Sequence, residues 1–271
     1  MSFPFFELYT SMELKKPFNF LKSLPVKLNN FYNKKKKLGL VVKNKSKKNK
    51  IIDPVTNLDK AFEKFIRFLI NKKFPKDSII GEELEDKNCL NDYQWSIDPI
   101  DGTRAFIIGA PTWSNLIGLS YQDKSIIGLA NFPKLNKYYI NDKKKSYVIK
   151  NKKRIVLKSS NNINLKKIKV ISHGNMNYEK QKKIFQKLGS SFKIASFDAL
   201  NFCLLAEGKV DAVIEGNLKS YDILPLIPIV KNAGGIISNW QGEQAEKAGN
   251  IVASSNRKLH NKIIKLLKSL T

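Results

Sequence analysis

The chain has 271 residues, a formal net charge of +26 and 42% hydrophobic residues. That length allows one large domain or two smaller ones with a sizeable core. No apolar run approaches the roughly 20 residues that span a bilayer, so we expect no membrane partner.

The positive charge comes almost entirely from lysine. Four of the 49 basic residues are arginine, the residue that nucleic-acid-binding proteins use for bidentate contacts. The lysines are spread along the chain beside many Asn, Ile and Phe residues, which is typical of a global compositional bias. We therefore expect no specific nucleic-acid partner. A lysine-rich protein that binds anions or nucleic acid without catalysis is the distant alternative, and the charge should in any case attract an anionic substrate.

Residues 1–40 form the least informative segment of the chain. This segment is rich in lysine and phenylalanine, but it lacks the apolar core and the small-residue cleavage site of a secretory signal. The two cysteines, Cys89 and Cys203, lack metal-ligand spacing and indicate free thiols in a reducing compartment. We expect a cytoplasmic protein with a loosely ordered start.

Residues 41–155 are predicted to form an N-terminal α+β half that carries the metal motifs. Apolar residues recur at helical spacing within 58–73, and Thr56 with Asp59 resembles a capping box at the start of that helix. Strands are predicted at 78–81, 94–97, 114–120, 125–132 and 137–149. The pattern favours helices packed on a largely antiparallel sheet.

Residues 156–271 are predicted to form a C-terminal α/β half, because strands and helices alternate there. The strands are predicted at 168–172, 192–195, 210–215, 236–240 and 250–253. The helices are predicted at 177–188, 198–207, 222–233 and 257–269. We place the boundary between the two halves near 150–165.

The scarce carboxylates mark the most informative stretch, 95–119. Asp98 and Asp101 end an apolar strand and are followed at once by Gly102 and Thr103. Carboxylates from separate loops can hold two magnesium ions, and backbone amides at a helix start can take a phosphate. The candidates for such a pocket are Glu82, Asp98, Asp101 and Asp222, the Ile100 carbonyl, and the amides of Gly102 and Thr103.

Four motifs, taken in chain order, resemble the inositol monophosphatase family of magnesium-dependent phosphatases over roughly residues 40–265. They are Asp53-Pro54-Val55-Thr56 with Asp59, Gly81-Glu82-Glu83, Asp98-Pro99-Ile100-Asp101-Gly102-Thr103, and Tyr221-Asp222 before Ala233-Gly234-Gly235. Within the family, 101–113 and 218–242 are most similar to the histidinol-phosphate phosphatase branch. The resemblance implies a layered αβαβα sandwich of the inositol monophosphatase and fructose-1,6-bisphosphatase type, with the metal site between the two halves.

The resemblance also implies a role for each candidate residue. Two magnesium ions would be held by Glu82, Asp98 and the Ile100 carbonyl for the first, and by Asp98, Asp101 and Asp222 for the second. A third, weaker ion would lie near Glu82, with Asp59 in its neighbourhood. Glu82 and Thr103 would orient the attacking water, and the amides of Gly102 and Thr103 would hold phosphate oxygens. Because a metal-activated water is the nucleophile, we expect no phospho-enzyme.

Two further acids are candidates for substrate contacts. Glu215 precedes Asp222 by seven residues, a spacing similar to that of the family's substrate-contacting acid. Asp198 lies where the histidinol-phosphate branch tends to carry an acid. Histidinol has an amine and an imidazole, which two acids facing the leaving group would bind. The stretch 193–197 differs from the branch, which often has an arginine and paired glycines there.

Each acid also has a simpler explanation. Asp98 and Asp101 stand in dipeptides that are common in turns. Helix capping is the simpler explanation for Asp59, Asp198 and Asp222.

The leading hypothesis is a magnesium-dependent phosphomonoesterase that hydrolyses histidinol phosphate to histidinol and phosphate, a late step of histidine biosynthesis. The nearest alternative keeps the chemistry but acts on inositol phosphate or another small sugar or nucleotide phosphate. A phosphatase of the haloacid-dehalogenase type needs a nucleophilic aspartate two residues before the second acid, whereas Asp98 and Asp101 are three apart. The expected partner is a small phosphorylated molecule, and homodimers are common in the family.

Overall fold

The computed structural model describes residues 14–45, 54–164, 167–172, 176, 178–188, 192–195 and 197–269. Asp53, the first residue of the upstream motif, lies outside these ranges. Across the described ranges, each helix is too short or too polar to cross a membrane.

The first large sheet has seven strands. In order across the sheet, they are β3 (Ser78–Gly81), β4 (Tyr93–Asp101), β5 (Ser114–Tyr121), β6 (Lys124–Phe132), β7 (Lys137–Asn141), β8 (Ser146–Lys150) and β9 (Lys153–Val156). Strand β3 runs parallel to β4, and every other neighbouring pair is antiparallel. The prediction of a largely antiparallel sheet is therefore confirmed.

Two helices, α1 (Lys15–Lys35) and α2 (Asn57–Lys73), pack beside this sheet, and a small ladder of β1 (Val42–Asn44) with β2 (Pro54–Thr56) precedes α2. The predicted capping box is confirmed at the start of α2, where the side chains of Thr56 and Asp59 each accept a hydrogen bond from the backbone.

We predicted that the N-terminal segment is loosely ordered, and this prediction is wrong for the residues that form α1. Phe20, Leu24 and Leu28 recur every four residues and are buried, so the helix has one apolar face. That face packs against α2 and the first sheet. Burial of the stripe stabilises the helix even though Pro25 lies inside it. The lysines between the apolar residues concealed this periodicity.

The second sheet has five strands, ordered β11-β10-β12-β14-β13. Its elements are β10 (Val170–Ser172), α4 (Tyr178–Leu188), β11 (Phe192–Ile194), α5 (Ala199–Ala206), β12 (Ala212–Leu218), α6 (Ser220–Ile223), α7 (Leu226–Asn232), β13 (Ile236–Asn239), β14 (Gly249–Ser254) and α8 (Arg257–Lys268). Strands β10, β11 and β12 are parallel, whereas β14 is antiparallel to β12 and β13. The predicted alternation of strands and helices is confirmed.

Two predicted elements are each divided into two in the structure. The segment 137–149, predicted as one strand, is divided into β7 and β8 by a turn in which the Asp142 N–H donates to the Lys145 carbonyl at 2.9 Å. The segment 222–233, predicted as one helix, is divided into α6 and α7. Pro225 and Pro228 cause that division, because neither has the N–H that a continuous helix needs.

The buried hydrophobic residues form three clusters within five layers of secondary structure. One cluster joins α1 and α2 to the first sheet, a central cluster packs α5 and α7 between the two sheets, and a third joins α4 and α8 to the second sheet. Short α3 (Thr103–Ile107) follows β4. The expected αβαβα sandwich is therefore confirmed. Since the central helices pack on both sheets, the division into 41–155 and 156–271 as two halves stays a prediction.

Candidate active site

The site is built around an irregularity at the end of β4. Asp98 and Asp101 are three residues apart, and in a regular strand their side chains would lie on opposite faces of the sheet. The pairing of β4 with β5 shifts register between these two residues, which changes the local direction of the side chains. Asn115 Nδ2 donates to the Pro99 carbonyl at 2.7 Å and supports the irregular backbone from β5.

Asp98 is almost fully enclosed, with 2% of the residue exposed. Its Oδ1 accepts a hydrogen bond from the Ile100 N–H at 3.1 Å. Burial raises the pKa of this carboxyl well above its ordinary value, and the charges of Glu82, Asp101 and Asp222 raise it further. Three other predicted ligands therefore lie within electrostatic range of Asp98.

Asp101 connects the first sheet to the central helix layer. Its Oδ2 accepts hydrogen bonds from Ser114 Oγ at 3.1 Å and from the Ala199 N–H, at the start of α5, at 2.9 Å. Burial raises the pKa of Asp101 well above its ordinary value, and the nearby charge of Asp198 raises it further. The orientation of Asp101 thus depends on α5 as well as on β5.

Gly102 and Thr103 form the entry to α3. Gly102 has a φ of +78°, the left-handed region that favours glycine, and an added Cβ would lie 2.6 Å from Asp198 Oδ2. Thr103 Oγ1 donates to the Ile100 carbonyl at 3.1 Å. The backbone here is close to the acids, and the phosphate-binding role of the two amides stays a prediction.

The segment that carries Asp222 lies close to the first sheet because two strands of that sheet have glycine where the segment contacts them. At Gly118 in β5, an added Cβ would lie 3.1 Å from the backbone of Pro225. At Gly128 in β6, it would overlap the Pro225 carbonyl oxygen. Because both positions lack a side chain, the kink between α6 and α7 packs directly on the sheet.

Asp222 is the third residue of α6, and its carboxylate accepts a hydrogen bond from the backbone of the N-cap residue Lys219, so the capping explanation is confirmed for Asp222 as it is for Asp59. Its Oδ2 accepts a hydrogen bond from the Lys219 N–H at 2.7 Å. Burial raises the pKa of Asp222 to about 7, and the charges of Glu82 and Asp198 contribute. The carboxyl therefore belongs to the same electrostatic cluster as Asp98.

Lys45 is a candidate functional residue that the sequence reasoning missed. Its ammonium contacts Glu82 Oε1 at 2.8 Å and also the carboxylate of Glu83. Burial lowers the pKa of Lys45, but its interactions with these two acids outweigh that effect and raise it above the ordinary value. Lys45 stands in a lysine-rich stretch where spacing carried no signal, and only the fold brings it to the acids.

Asp59 caps α2 and also lies beside the site. Its Oδ2 accepts hydrogen bonds from the Thr56 N–H at 2.8 Å and the Thr56 hydroxyl at 2.5 Å, so the capping explanation is confirmed. Within the described part of the chain, its buried Oδ1 has no hydrogen-bond partner. Burial raises the pKa of Asp59, and the charge of Glu82 raises it further. A buried, unpartnered carboxylate oxygen is suited to accept a water or cation.

Asp198, just before α5, and Glu215, in β12, lie in the second half. Asp198 precedes α5, but its side chain makes no capping hydrogen bond, so capping does not explain this residue. Its φ is +48°, which is uncommon outside glycine and often found at functional sites. Glu215 accepts a hydrogen bond from Asn201 Nδ2 at 2.9 Å. Burial raises the pKa of Glu215 to about 8, and the charges of Asp198 and Asp222 contribute.

The acids fit divalent cations by their chemistry, although they are not yet arranged as a closed ligand set. No three His, Cys, Asp or Glu side chains of the described ranges converge on a metal position. Protein donors engage several of the oxygens, as Lys45 does at Glu82. The acids nevertheless raise one another's pKa, and bound cations would relieve that repulsion. Carboxylate and carbonyl oxygens are also the ligands that magnesium prefers.

Comparisons with known proteins identify the family to which the chain is similar. The model of the inositol monophosphatase family matches residues 26–271. The bifunctional phosphatase IMPL2, chloroplastic, of Arabidopsis thaliana is 31% identical over 230 residues, which cover 80% of this chain and 66% of that protein. The histidinol-phosphatase of Chlorobaculum parvum is 27% identical over 230 residues, with coverages of 78% and 82%. The solved structure of a Thermotoga maritima IMPase matches with a TM-score of 0.78 and 25% identity, over 92% of this chain and 95% of that chain.

Proposed function

This chain belongs to the inositol monophosphatase family, and from that membership we propose that it is a magnesium-dependent phosphomonoesterase acting on histidinol phosphate. The family is a phosphatase family, so hydrolysis of a small phosphorylated substrate is the expected reaction class. The observation that carries the proposal is the electrostatic cluster of buried Asp98 with half-buried Glu82, Asp101 and Asp222, next to Asp198 and Glu215.

The proposed ligands of two magnesium ions are oxygen atoms from four acids and one backbone carbonyl. We assign Glu82, Asp98 and the Ile100 carbonyl to the first ion, and Asp98, Asp101 and Asp222 to the second. When bound, the ions would supply positive charge to the phosphoryl oxygens and to the attacking water. Asp59, whose Oδ1 is buried and unpartnered in the described part of the chain, would support a third, weaker ion near Glu82.

The chain's own groups would position the reactants. Glu82 and Thr103 would hold the attacking water by hydrogen bonds, and the amides of Gly102 and Thr103 would hold the phosphate oxygens. The Thr103 hydroxyl is already fixed near Ile100 by its 3.1 Å hydrogen bond. The absence of a side chain at Gly102 lets the Asp198 carboxylate lie close to the backbone there. Hydrogen bonds from Ser114 and Ala199 hold Asp101 in one orientation.

The choice of histidinol phosphate is supported by the charge of its leaving group. Histidinol has an amine, which is protonated near neutral pH, and an imidazole that gains a proton near pH 6.5. Asp198 and Glu215 are two acids beyond the proposed ligands, and both act electrostatically on the cluster. A relative named histidinol-phosphatase is 27% identical. An uncharged polyol such as inositol would bring no positive charge to these two acids.

The second candidate is an inositol phosphate or another small sugar or nucleotide phosphate. The match to the Thermotoga maritima IMPase favours this alternative.

A cytoplasmic location remains part of the proposal and is supported by Cys89 and Cys203, which are both free thiols.

A substrate panel tests the proposal. Phosphate release from histidinol phosphate, inositol 1-phosphate, fructose 1,6-bisphosphate and a nucleoside monophosphate would be measured with saturating magnesium and with a chelator. We expect kcat/KM for histidinol phosphate to exceed the others by about 100-fold, with no turnover in chelator. A higher kcat/KM for inositol 1-phosphate would show that histidinol phosphate is not the preferred substrate. Turnover without magnesium would contradict the proposed metal-dependent chemistry.

A further inference from the structure

Helix α2 presents three ionic residues along one face, and two of them have no part in the proposed reaction. Asp59, Glu63 and Arg67 follow one another at intervals of four residues, so they lie on consecutive turns of the same face. Asp59 lies beside the acid cluster. Glu63, one turn further from it, is fully buried. A buried carboxylate is costly unless its oxygens are paired, so its partners indicate its role.

Glu63 uses both oxygens, and one of them holds the loop that carries Glu82. Its Oε2 accepts a hydrogen bond from the Glu83 N–H at 2.7 Å. Its Oε1 accepts from Arg67 Nε at 2.8 Å. Arg67 Nη2 in turn donates to the Leu84 carbonyl at 3.2 Å. The ion pair therefore contacts the backbone of the two residues that follow Glu82.

The backbone before Glu82 is in contact with the same pair. At Gly81, an added Cβ would overlap Glu63 Oε1 and would lie 2.9 Å from Arg67 Nη2. The amide of Glu82 itself donates to the Ile97 carbonyl on β4 at 3.2 Å. The ion pair on one side and β4 on the other thus fix the backbone on both sides of Glu82.

The use of arginine at this position is informative in a chain so rich in lysine. Arg67 is one of four arginines among 49 basic residues, and it donates through Nε and Nη2 to two different acceptors. A planar guanidinium holds such directions rigidly, whereas a lysine ammonium is a single flexible point donor. The compositional bias towards lysine therefore does not explain this residue.

We propose that Glu63 and Arg67 are positioning residues that set the orientation of Glu82 for binding of a divalent cation. This inference rests on the proposed metal-dependent function. Neither residue would contact substrate. Partners that orient metal ligands typically contribute about 10–100-fold in metal affinity, and the same scale is expected here.

The test measures metal binding directly on the full chain, without substrate. Affinity for magnesium would be determined by calorimetry, and for manganese by paramagnetic resonance, in the wild type and in Glu63→Gln, Arg67→Lys and Arg257→Lys. The last variant is a matched control, since Arg257 is exposed. We expect Glu63→Gln to weaken binding by about 10-fold or more and Arg67→Lys to weaken it by a smaller factor. The control should bind like the wild type.

Kinetics separate positioning from general destabilisation. If the pair positions Glu82, the magnesium concentration for half-maximal activity rises in both variants, kcat recovers at high magnesium, and the substrate KM changes little. If Glu63→Gln shows no cooperative unfolding transition, that variant is not folded and the test rests on Arg67→Lys alone. Wild-type affinity in every variant that folds would overturn the inference. A wild type that binds no divalent cation would instead overturn the proposed function, so the two failures are distinguishable.

Discussion

The two sides of the acid cluster are built in different ways. On the proposed metal side, Asp98 and Asp101 come from one irregular stretch of β4, and local backbone geometry brings them together. On the proposed substrate side, Asp198 immediately precedes α5 and Glu215 lies in β12, and these two elements meet through packing of the second half. A short motif can therefore carry a metal site, whereas recognition of the leaving group depends on how distant elements pack.

The largest expected effect comes from the metal side. Asp101→Asn removes the negative charge that one proposed ion needs, so we expect kcat to fall on the order of 1,000-fold or more. The loss should be equal for histidinol phosphate and for p-nitrophenyl phosphate, because both need the same phosphoryl chemistry. Phosphate release at saturating magnesium measures it.

The matched control for that substitution is Asp123→Asn. Asp123 is exposed in the turn between β5 and β6 and has a φ of +60°, which asparagine tolerates well. We expect wild-type kcat for this variant. If Asp101→Asn also kept kcat within about tenfold of the wild type, the assignment of the metal side would be wrong, since loss of a ligand carboxylate cannot be that mild.

The sequence predicted the local structure of the proposed metal side because the evidence for it is local, whereas the metal-binding role of these residues stays a prediction. Asp98, Asp101, Gly102 and Thr103 are nearly consecutive, and turn chemistry and glycine conformation are properties of a few neighbouring residues. The capping box of Thr56 and Asp59 is local in the same sense, and it is confirmed. Strand β3 before Glu82 was also predicted from its own residues.

The residues that sequence reasoning missed all depend on contacts between distant segments. Lys45 contacts Glu82 across 37 residues of chain, and nothing distinguishes it from its neighbouring lysines in sequence. Glu63 and Arg67 show helical spacing, but their acceptor loop is known only from the fold. The division of 222–233 into two helices has a local cause, because Pro225 and Pro228 both lack the N–H that a continuous helix needs.

A smaller effect is expected on the substrate side. Asp198→Asn and Glu215→Gln each remove a charge that would bind the histidinol leaving group, and each replaces the carboxylate with an amide of nearly the same shape. A charged hydrogen bond contributes about 1.5–3 kcal/mol, so kcat/KM for histidinol phosphate should fall about 10–100-fold. For p-nitrophenyl phosphate, which has neither amine nor imidazole, the change should stay within about threefold. Equal losses on both substrates would place these acids in the metal site and remove the contrast between the two sides.

The smallest effect is on stability as a function of pH, and it distinguishes the two sides without substrate turnover. Burial raises the pKa of Glu215 from 4.5 to about 8 and that of Asp222 from 3.8 to about 7. The folded chain therefore keeps protons that the unfolded chain has released. The stability contributed by each group is complete below its ordinary pKa and is lost as the pH rises through the raised value. We expect the Tm of the protein in chelator to fall as the pH increases from about 5 to about 8.5.

Glu215→Gln is the control for that decline, because glutamine does not titrate, and its Tm should fall less over the same range. An identical decline in both proteins would exclude Glu215 as a source of the effect. Magnesium should remove the part due to Asp222, since a cation that binds the ionised carboxylate stabilises the folded state at high pH. The part due to Glu215 should persist in magnesium and diminish when histidinol is added, because its amine would pair with the ionised acid. A metal and an amine that act on separate parts of one pH profile would show that the two sides bind different partners.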